Sequence, residues 1–292
     1  GIPMRFPVVP GHEFAGVVTA VGPGVEDLQP GARVTAENTR YNCGICPQCA
    51  AGSYNLCSKR LATGYAFDGA FASAVVVPRS RIHLLPDAVD FRAGALTDPS
   101  ACAYHAVQEL TGVNAGDVVL VSGPGPMGLF CLQYVKANGG TVILTGATRD
   151  RQRLELGREL GADHVCTAET AEDFIMQITN GVGVDRVLEC SGAQAAAQLG
   201  LSLLRSEGVY TQVGIFGKPI TFDLDRILYR EIRLLGSFSQ KFVGWEKALE
   251  LCAAGRIQVS PMITHIFSLK DWREAFDLFE SGAAIKVIFE FH

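Results

Sequence analysis

Four cysteines crowd one short stretch of the chain, Cys43-Gly-Ile-Cys46-Pro-Gln-Cys49 followed by Cys57, in the spacing C-x2-C-x2-C-x7-C. Such spacing lets four thiolates converge on one ion without help from distant segments. Zinc suits the set, because it takes four sulfur ligands tetrahedrally at about 2.3 Å, and closed sites of that kind are structural. A loop tied in this way constrains the fold around it before any other signal is read. Two disulfides are the alternative use of the same residues. Against them, the sequence shows no signal peptide. Cys102, Cys131, Cys166, Cys190 and Cys252 also lie singly in apolar surroundings, as reduced core cysteines do.

At 292 residues, two domains are the natural expectation. Apolar residues make up 48 % of the chain and glycines number 32, which suits a well-buried α/β protein rich in tight turns. A net charge of −5 offers no basic footprint for nucleic acid. The sequence contains no apolar run long enough to span a bilayer, so a soluble, cytoplasmic protein without a membrane partner is expected. Gly1 is not an initiator, and Pro3, Pro7 and Pro10 follow it closely, so the chain reads as a fragment or a trimmed product.

Two textures divide the sequence. Up to about Pro86, short β segments are punctuated by Gly and Pro, with strands expected at Phe14–Val21, Arg33–Ala36 and Phe71–Val77. A helix is expected over about Ala93–Leu110. From Asp117 strands and helices alternate: Val118–Ser122 as a strand, a helix through about Ala137, Thr141–Thr145 as the next strand, and Asp150–Leu160 as the next helix. Later strands are expected at Asp185–Cys190 and Gly208–Val213. This rhythm implies a doubly wound parallel sheet. The expected division is a β-rich domain over 1–108 carrying the cysteine lobe (43–57), a dinucleotide-binding domain over 109–256, and a return to the first domain over 257–292.

The first strand of the alternating region runs straight into Gly123-Pro-Gly125-Pro126-Met127-Gly128 and a helix. A G-x-G-x-x-G pattern is weak alone, but directly between strand and helix it fits a dinucleotide-binding turn. Gly123 permits the turn, Gly125 lets the backbone approach a pyrophosphate, and Gly128 lets the helix pack on the strand. The helix start offers the phosphates free N–H groups and positive dipole charge. The tip of the second strand bears on the choice of cofactor. An acid there would bind the ribose 2′-hydroxyl and select NAD. This chain reads Thr145-Gly146-Ala147-Thr148-Arg149-Asp150-Arg151, with glycine at the tip and a hydroxyl and arginines behind it. Thr148, Arg149 and Arg153 are therefore candidates to bind a 2′-phosphate, and NADP is favoured over NAD. Asp150 could instead be the selecting acid, displaced by a longer loop.

Together, Gly11-His12-Glu13-Phe14-Ala15-Gly16, the cysteine lobe, Ala95-Leu96-Thr97-Asp98-Pro99 and the glycine fingerprint occur in the order found in the zinc-containing medium-chain dehydrogenases. The chain resembles their alcohol, sorbitol and threonine dehydrogenase group over its whole length. The resemblance implies an α/β protein in which a GroES-like β-rich catalytic domain is joined to a Rossmann doubly wound domain. It also implies a structural zinc on Cys43, Cys46, Cys49 and Cys57, and a catalytic zinc on His12, Glu13 and Asp98. Glu13 either ligates that metal or approaches it from behind. Asp98 stands where the polyol branch has Glu and the alcohol branch has Cys, which points toward polyols or amino alcohols. The family's first catalytic-zinc ligand is a cysteine upstream of the Gly-His-Glu motif, and the sequence begins after that point. The implied activity is hydride transfer between a small secondary alcohol or polyol and NAD(P), by a homo-oligomer. Two other readings remain: a zinc-independent quinone or enoyl reductase of the same fold, and a non-catalytic cofactor-binding zinc protein.

Overall fold

A computed structural model describes residues 3–291. The chain forms two compact units, one of residues 1–101 with 239–292 and the other of residues 102–238. The divisions fall earlier than the sequence pattern suggests, and the packing of one helix explains the second of them. In α9 (Phe242–Ala253), Trp245 and Ala248 cluster with Ala101, while Leu249 packs with Leu85 and Val89. The helix therefore buries its apolar face on the first unit, although the alternating rhythm assigns it to the second.

In the first unit, β1 (Ala15–Val17) pairs antiparallel with β2 (Arg33–Ala36), which pairs with β5 (Ile82–Leu84). A second antiparallel pair, β3 (Thr39–Tyr41) with β4 (Leu61–Ala62), brackets the cysteine lobe. That lobe carries the single-turn helix α1 (Pro47–Ala50). The expected strand over Phe71–Val77 does not form. Its first N–H group is taken by the 9–11 loop, Phe71 N donating to Pro10 O just after Gly69 N donates to Val9 O. Further along, Val76 O accepts from Arg40, so no ladder develops. The helix expected over 93–110 is broken into α2 (Phe91–Ala95), α3 (Thr97–Tyr104) and a π-helical stretch over His105–Thr111. Pro99 supplies the reason for the first break, because it is tolerated in the opening turn of a new helix and not inside a continuous one.

The second unit is a six-stranded parallel sheet in the order β11-β10-β9-β6-β7-β8. Its strands are β6 (Val118–Ser122), β7 (Thr141–Gly146), β8 (His164–Thr167), β9 (Val184–Glu189), β10 (Leu204–Gln212) and β11 (Arg233–Gly236). Val119, Leu120 and Val121 are buried on both faces of the sheet, which is why β6 reads as an unbroken apolar run. Helix α4 (Pro126–Ala137) covers one face and buries Leu129, Phe130 and Leu132 completely. Helices α5 (Arg151–Glu159), α6 (Ala168–Ile178), α7 (Gln194–Leu203) and α8 (Leu224–Tyr229) complete the layers. The chain runs from β6 outward to β8, then returns to β9 on the other side of β6. That reversal between β6 and β9 is the topological switch point at which open α/β sheets bind ligands. After α9, the first unit is completed by β12 (Ile263–Ser268), α10 (Trp272–Glu280) and β13 (Lys286–Glu290), with β12 and β13 paired in parallel.

Candidate functional site

The four cysteines are brought together as their spacing implies. All four are free thiols, and their sulfur atoms lie within 4.8 Å of one another. Cys43 Sγ is 4.0 Å from Cys49 Sγ and 3.6 Å from Cys57 Sγ. A tetrahedron of sulfurs around zinc has edges of about 3.8 Å, so the donor set fits the ion without rearrangement. Backbone groups converge on the same sulfurs: Cys49 N donates to Cys46 Sγ at 3.4 Å, and Cys43 N to Cys57 Sγ at 3.4 Å. The Asn42 amide donates to Cys49 Sγ at 3.3 Å. Backbone N–H groups of Ile45 and Cys46 hold the Cys43 thiol down to about 6, toward the thiolate that a metal needs.

His12 and Glu13 follow a loop whose glycine is required by space. Gly11 adopts φ +96°, and a Cβ there would meet Phe71 Cδ1 at 2.6 Å. Gly69 has to pass equally close, since its Cβ would lie 2.1 Å from Gly11 O. The His12 ring lies against Tyr65 with ring centres 5.3 Å apart. Asp98 enters from the first turn of α3, is only 4 % exposed, and accepts a 3.0 Å hydrogen bond from the Gln240 amide. Burial pushes its carboxyl up to about 6, while the charges of His12, Arg60 and Lys286 work in the opposite direction and Glu13 adds to the rise. The group is therefore surrounded by the other two candidate ligands and by two cations.

The three residues do not close as tightly as the cysteines. Among the described residues, only the cysteine group draws its ligand atoms within 4.8 Å of one another. Glu13 Oε2 is instead bonded to Lys286 Nζ, from β13. Sequence reasoning missed Lys286, Gln240, Arg60 and Tyr65, and no local motif marks any of them. Arg60 is buried and donates to Thr39 Oγ1 at 2.7 Å and Asn38 Oδ1 at 2.6 Å.

In the second unit the fingerprint loop leaves the end of β6 between β7 and β9. Gly123 N donates to Thr145 O at 2.8 Å, and Cys190 N donates to Ser122 O at 2.8 Å, so both neighbouring strands anchor the turn. A Cβ on Gly128 would lie 1.9 Å from Gly123 O, and one on Gly123 would lie 2.8 Å from Ser191. Gly125, by contrast, faces open space and caps α4, with Pro126 and Met127 in its first turn. The cradle thus has close-packed walls and a free floor, which fits a pyrophosphate approaching the backbone. The loop after β9 is shaped by the buried Glu189 carboxylate, which accepts from Ser191 N at 2.8 Å and Gly192 N at 3.1 Å.

At the tip of β7, Asp150 ends the short turn that follows the strand. Its carboxylate accepts from Ala147 N at 2.9 Å and caps the short turn over Thr148–Asp150. Thr148 and Arg149 are exposed on that turn, and Arg153 is half-buried one turn into α5.

Two family models match successive parts of the chain. Residues 2–87 match the alcohol dehydrogenase GroES-like domain, and residues 126–254 match the zinc-binding dehydrogenase model. A sorbitol dehydrogenase of Halalkalibacterium halodurans is 43 % identical over 289 residues, covering 98 % of this chain and 84 % of its own length. The chain belongs to the zinc-binding dehydrogenase family. A D-arabitol-phosphate dehydrogenase of Enterococcus avium is 42 % identical, covering 97 % of this chain and 82 % of its own. A zinc-binding dehydrogenase from Sinorhizobium meliloti 1021, solved bound to NADP, superposes with a TM-score of 0.89 at 35 % identity over 99 % of this chain and 85 % of that one. This dehydrogenase is accordingly an oxidoreductase of the zinc alcohol dehydrogenase type that uses a nicotinamide cofactor. No helix among its described residues is long and apolar enough to cross a membrane.

Proposed function

We propose that this dehydrogenase transfers hydride between a secondary alcohol or polyol and NADP, with one structural and one catalytic zinc. The polyol class is supported by the sorbitol and arabitol-phosphate dehydrogenases it is similar to. Cys43, Cys46, Cys49 and Cys57 would hold the structural ion, and a set with no open position takes no part in turnover. His12 and Asp98 would hold the catalytic ion, with Glu13 supporting it from its pairing with Lys286.

When bound, the metal supplies Lewis-acid polarisation of the substrate hydroxyl and the nicotinamide supplies the hydride acceptor. The protein's own residues supply position and charge. Gln240 fixes the Asp98 carboxylate by donating to its Oδ2. Arg60 favours the ionised form of Asp98 against its burial. Tyr65 packs against the His12 ring and restricts its orientation. Gly125 and the first turn of α4 would receive the pyrophosphate, while Thr148 and Arg149 would receive the 2′-phosphate, with Arg153 next to them on α5. Homo-oligomeric assembly and a cytoplasmic setting complete the proposal, both resting on the family resemblance.

The observation that carries this reading is the buried Asp98 carboxyl with His12 and Glu13 as its charged neighbours, an arrangement with no evident packing purpose. The test is metal analysis joined to turnover on sorbitol and simple secondary alcohols. Two zincs per chain are expected, together with NADP-dependent oxidation that is lost when a chelator removes the more labile ion. Turnover that survives this removal would refute the mechanism.

A further inference from the structure

We infer that Pro124, the residue between the first two fingerprint glycines, is a determinant of cofactor specificity, because its ring fills the space that an acidic side chain at position 146 would need. The inference deepens the NADP reading and rests on it for the identity of the cofactor.

Gly146 ends β7, where a ribose-binding acid would stand. Its backbone does not have the left-handed φ that would call for glycine. Space is what excludes a side chain. A Cβ on Gly146 would lie 2.9 Å from both Cδ and Cγ of Pro124 and 3.2 Å from Asp150 Cβ. Contacts that short require one of the neighbours to move. Pro124 cannot rotate aside, since its Cδ is bonded to its own backbone nitrogen and its φ is fixed.

The backbone on either side of Pro124 is held as well. Gly123 N is bonded to Thr145 O, the Gly123 backbone is packed against Ser191 and Gly128, and Gly125 O accepts from Leu129 N at 2.9 Å in the first turn of α4. Pro124 itself is buried. On the other side, Asp150 is fixed by its cap on Ala147 N. The glycine at the strand tip and the proline in the loop therefore form one unit. While Pro124 stays, no carboxylate can be presented from position 146, and the neighbouring acid, Asp150, has one carboxylate oxygen engaged by Ala147 N. Alanine at 124 would remove Cγ and Cδ, the two atoms that cause the overlap.

The experiment compares Pro124→Ala, Gly146→Ala, Gly146→Asp and the two double variants with the parent chain. It uses thermal melting, and NADPH and NADH dissociation constants from nicotinamide fluorescence. Gly146→Ala and Gly146→Asp should each lower the melting temperature by several degrees when Pro124 is present and regain most of that loss with Pro124→Ala. The Gly146→Ala pair isolates the steric effect from charge. Pro124→Ala/Gly146→Asp should shift the NADH-to-NADPH preference by at least about tenfold toward NADH, whereas Gly146→Asp alone should weaken both cofactors. A Gly146→Asp protein that melts like the parent and binds NADH more tightly with Pro124 in place would overturn the inference. A parent chain that binds NADH as tightly as NADPH would overturn the NADP reading alone, since the coupling between positions 124 and 146 is still read from the melting temperatures.

Discussion

The cysteine lobe and the His12–Asp98 site lie in the same unit and are built by opposite means. The lobe draws its donors from residues 43 to 57, and their sulfurs close to within 4.8 Å through local turns alone. The other site gathers His12 and Glu13 from a loop, Asp98 from a helix start, Arg60 from beyond the lobe, Gln240 from before α9 and Lys286 from β13. The first arrangement needs only its own loop and an ion. The second exists only when the return segment 239–292 is docked on the rest of its unit. Local closure yields a tight donor set, while assembly from distant segments yields an open one stabilised by counter-charges.

Three substitutions sharpen that contrast, in descending order of effect. Replacing Cys57, the buried member of the lobe, by Ser should remove one zinc per chain and cost on the order of several kcal/mol, since structural zinc binding is itself folding energy. Metal analysis beside a urea titration measures both, and an unchanged zinc content would remove the lobe from the metal-binding account. Arg60→Met should cost about 3 kcal/mol, because it takes the Arg60 donors from Asn38 Oδ1 and Thr39 Oγ1 and removes one of the positive charges near the buried Asp98. The zinc of the lobe should remain, which distinguishes this loss from that of a cysteine variant. Asn42→Ala should cost only about 2 kcal/mol, because it deletes the hydrogen bond to Cys49 Sγ and the one that its Oδ1 accepts from Arg81, while all four sulfurs stay. It should show as faster zinc release to a chromogenic chelator with a smaller change in melting than Arg60→Met causes. Equal release rates for the variant and the parent would mean that the Asn42 bond does not support the thiolate.

Much of the second unit was legible in the sequence because its signals are local. Val118–Ser122 reads as a buried parallel strand, and it forms as one with α4 following at once. Gly123 reads as the tight-turn residue and Gly128 as the helix-packing one, and the structure gives Gly123 a φ of +102° and Gly128 a Cβ position 1.9 Å from Gly123 O. The first unit was less legible. Phe71–Val77 has the composition of a strand, yet its backbone groups are taken by the 9–11 loop and by Arg40. Helix α9 carries the rhythm of one unit and the packing of the other.

The sequence by itself determined the four-sulfur donor set, the strand–turn–helix dinucleotide cradle and the glycine at the β7 tip. Each is complete within some twenty residues, so short-range spacing and backbone sterics suffice. Tertiary structure alone decided that Lys286 pairs with Glu13, that Arg60 and Gln240 attend Asp98, and that Pro124 occupies the space beside Gly146. These are contacts between residues far apart in the chain. Burial strengthens their charges and fixes their distances, and neither is expressed by any motif along the sequence.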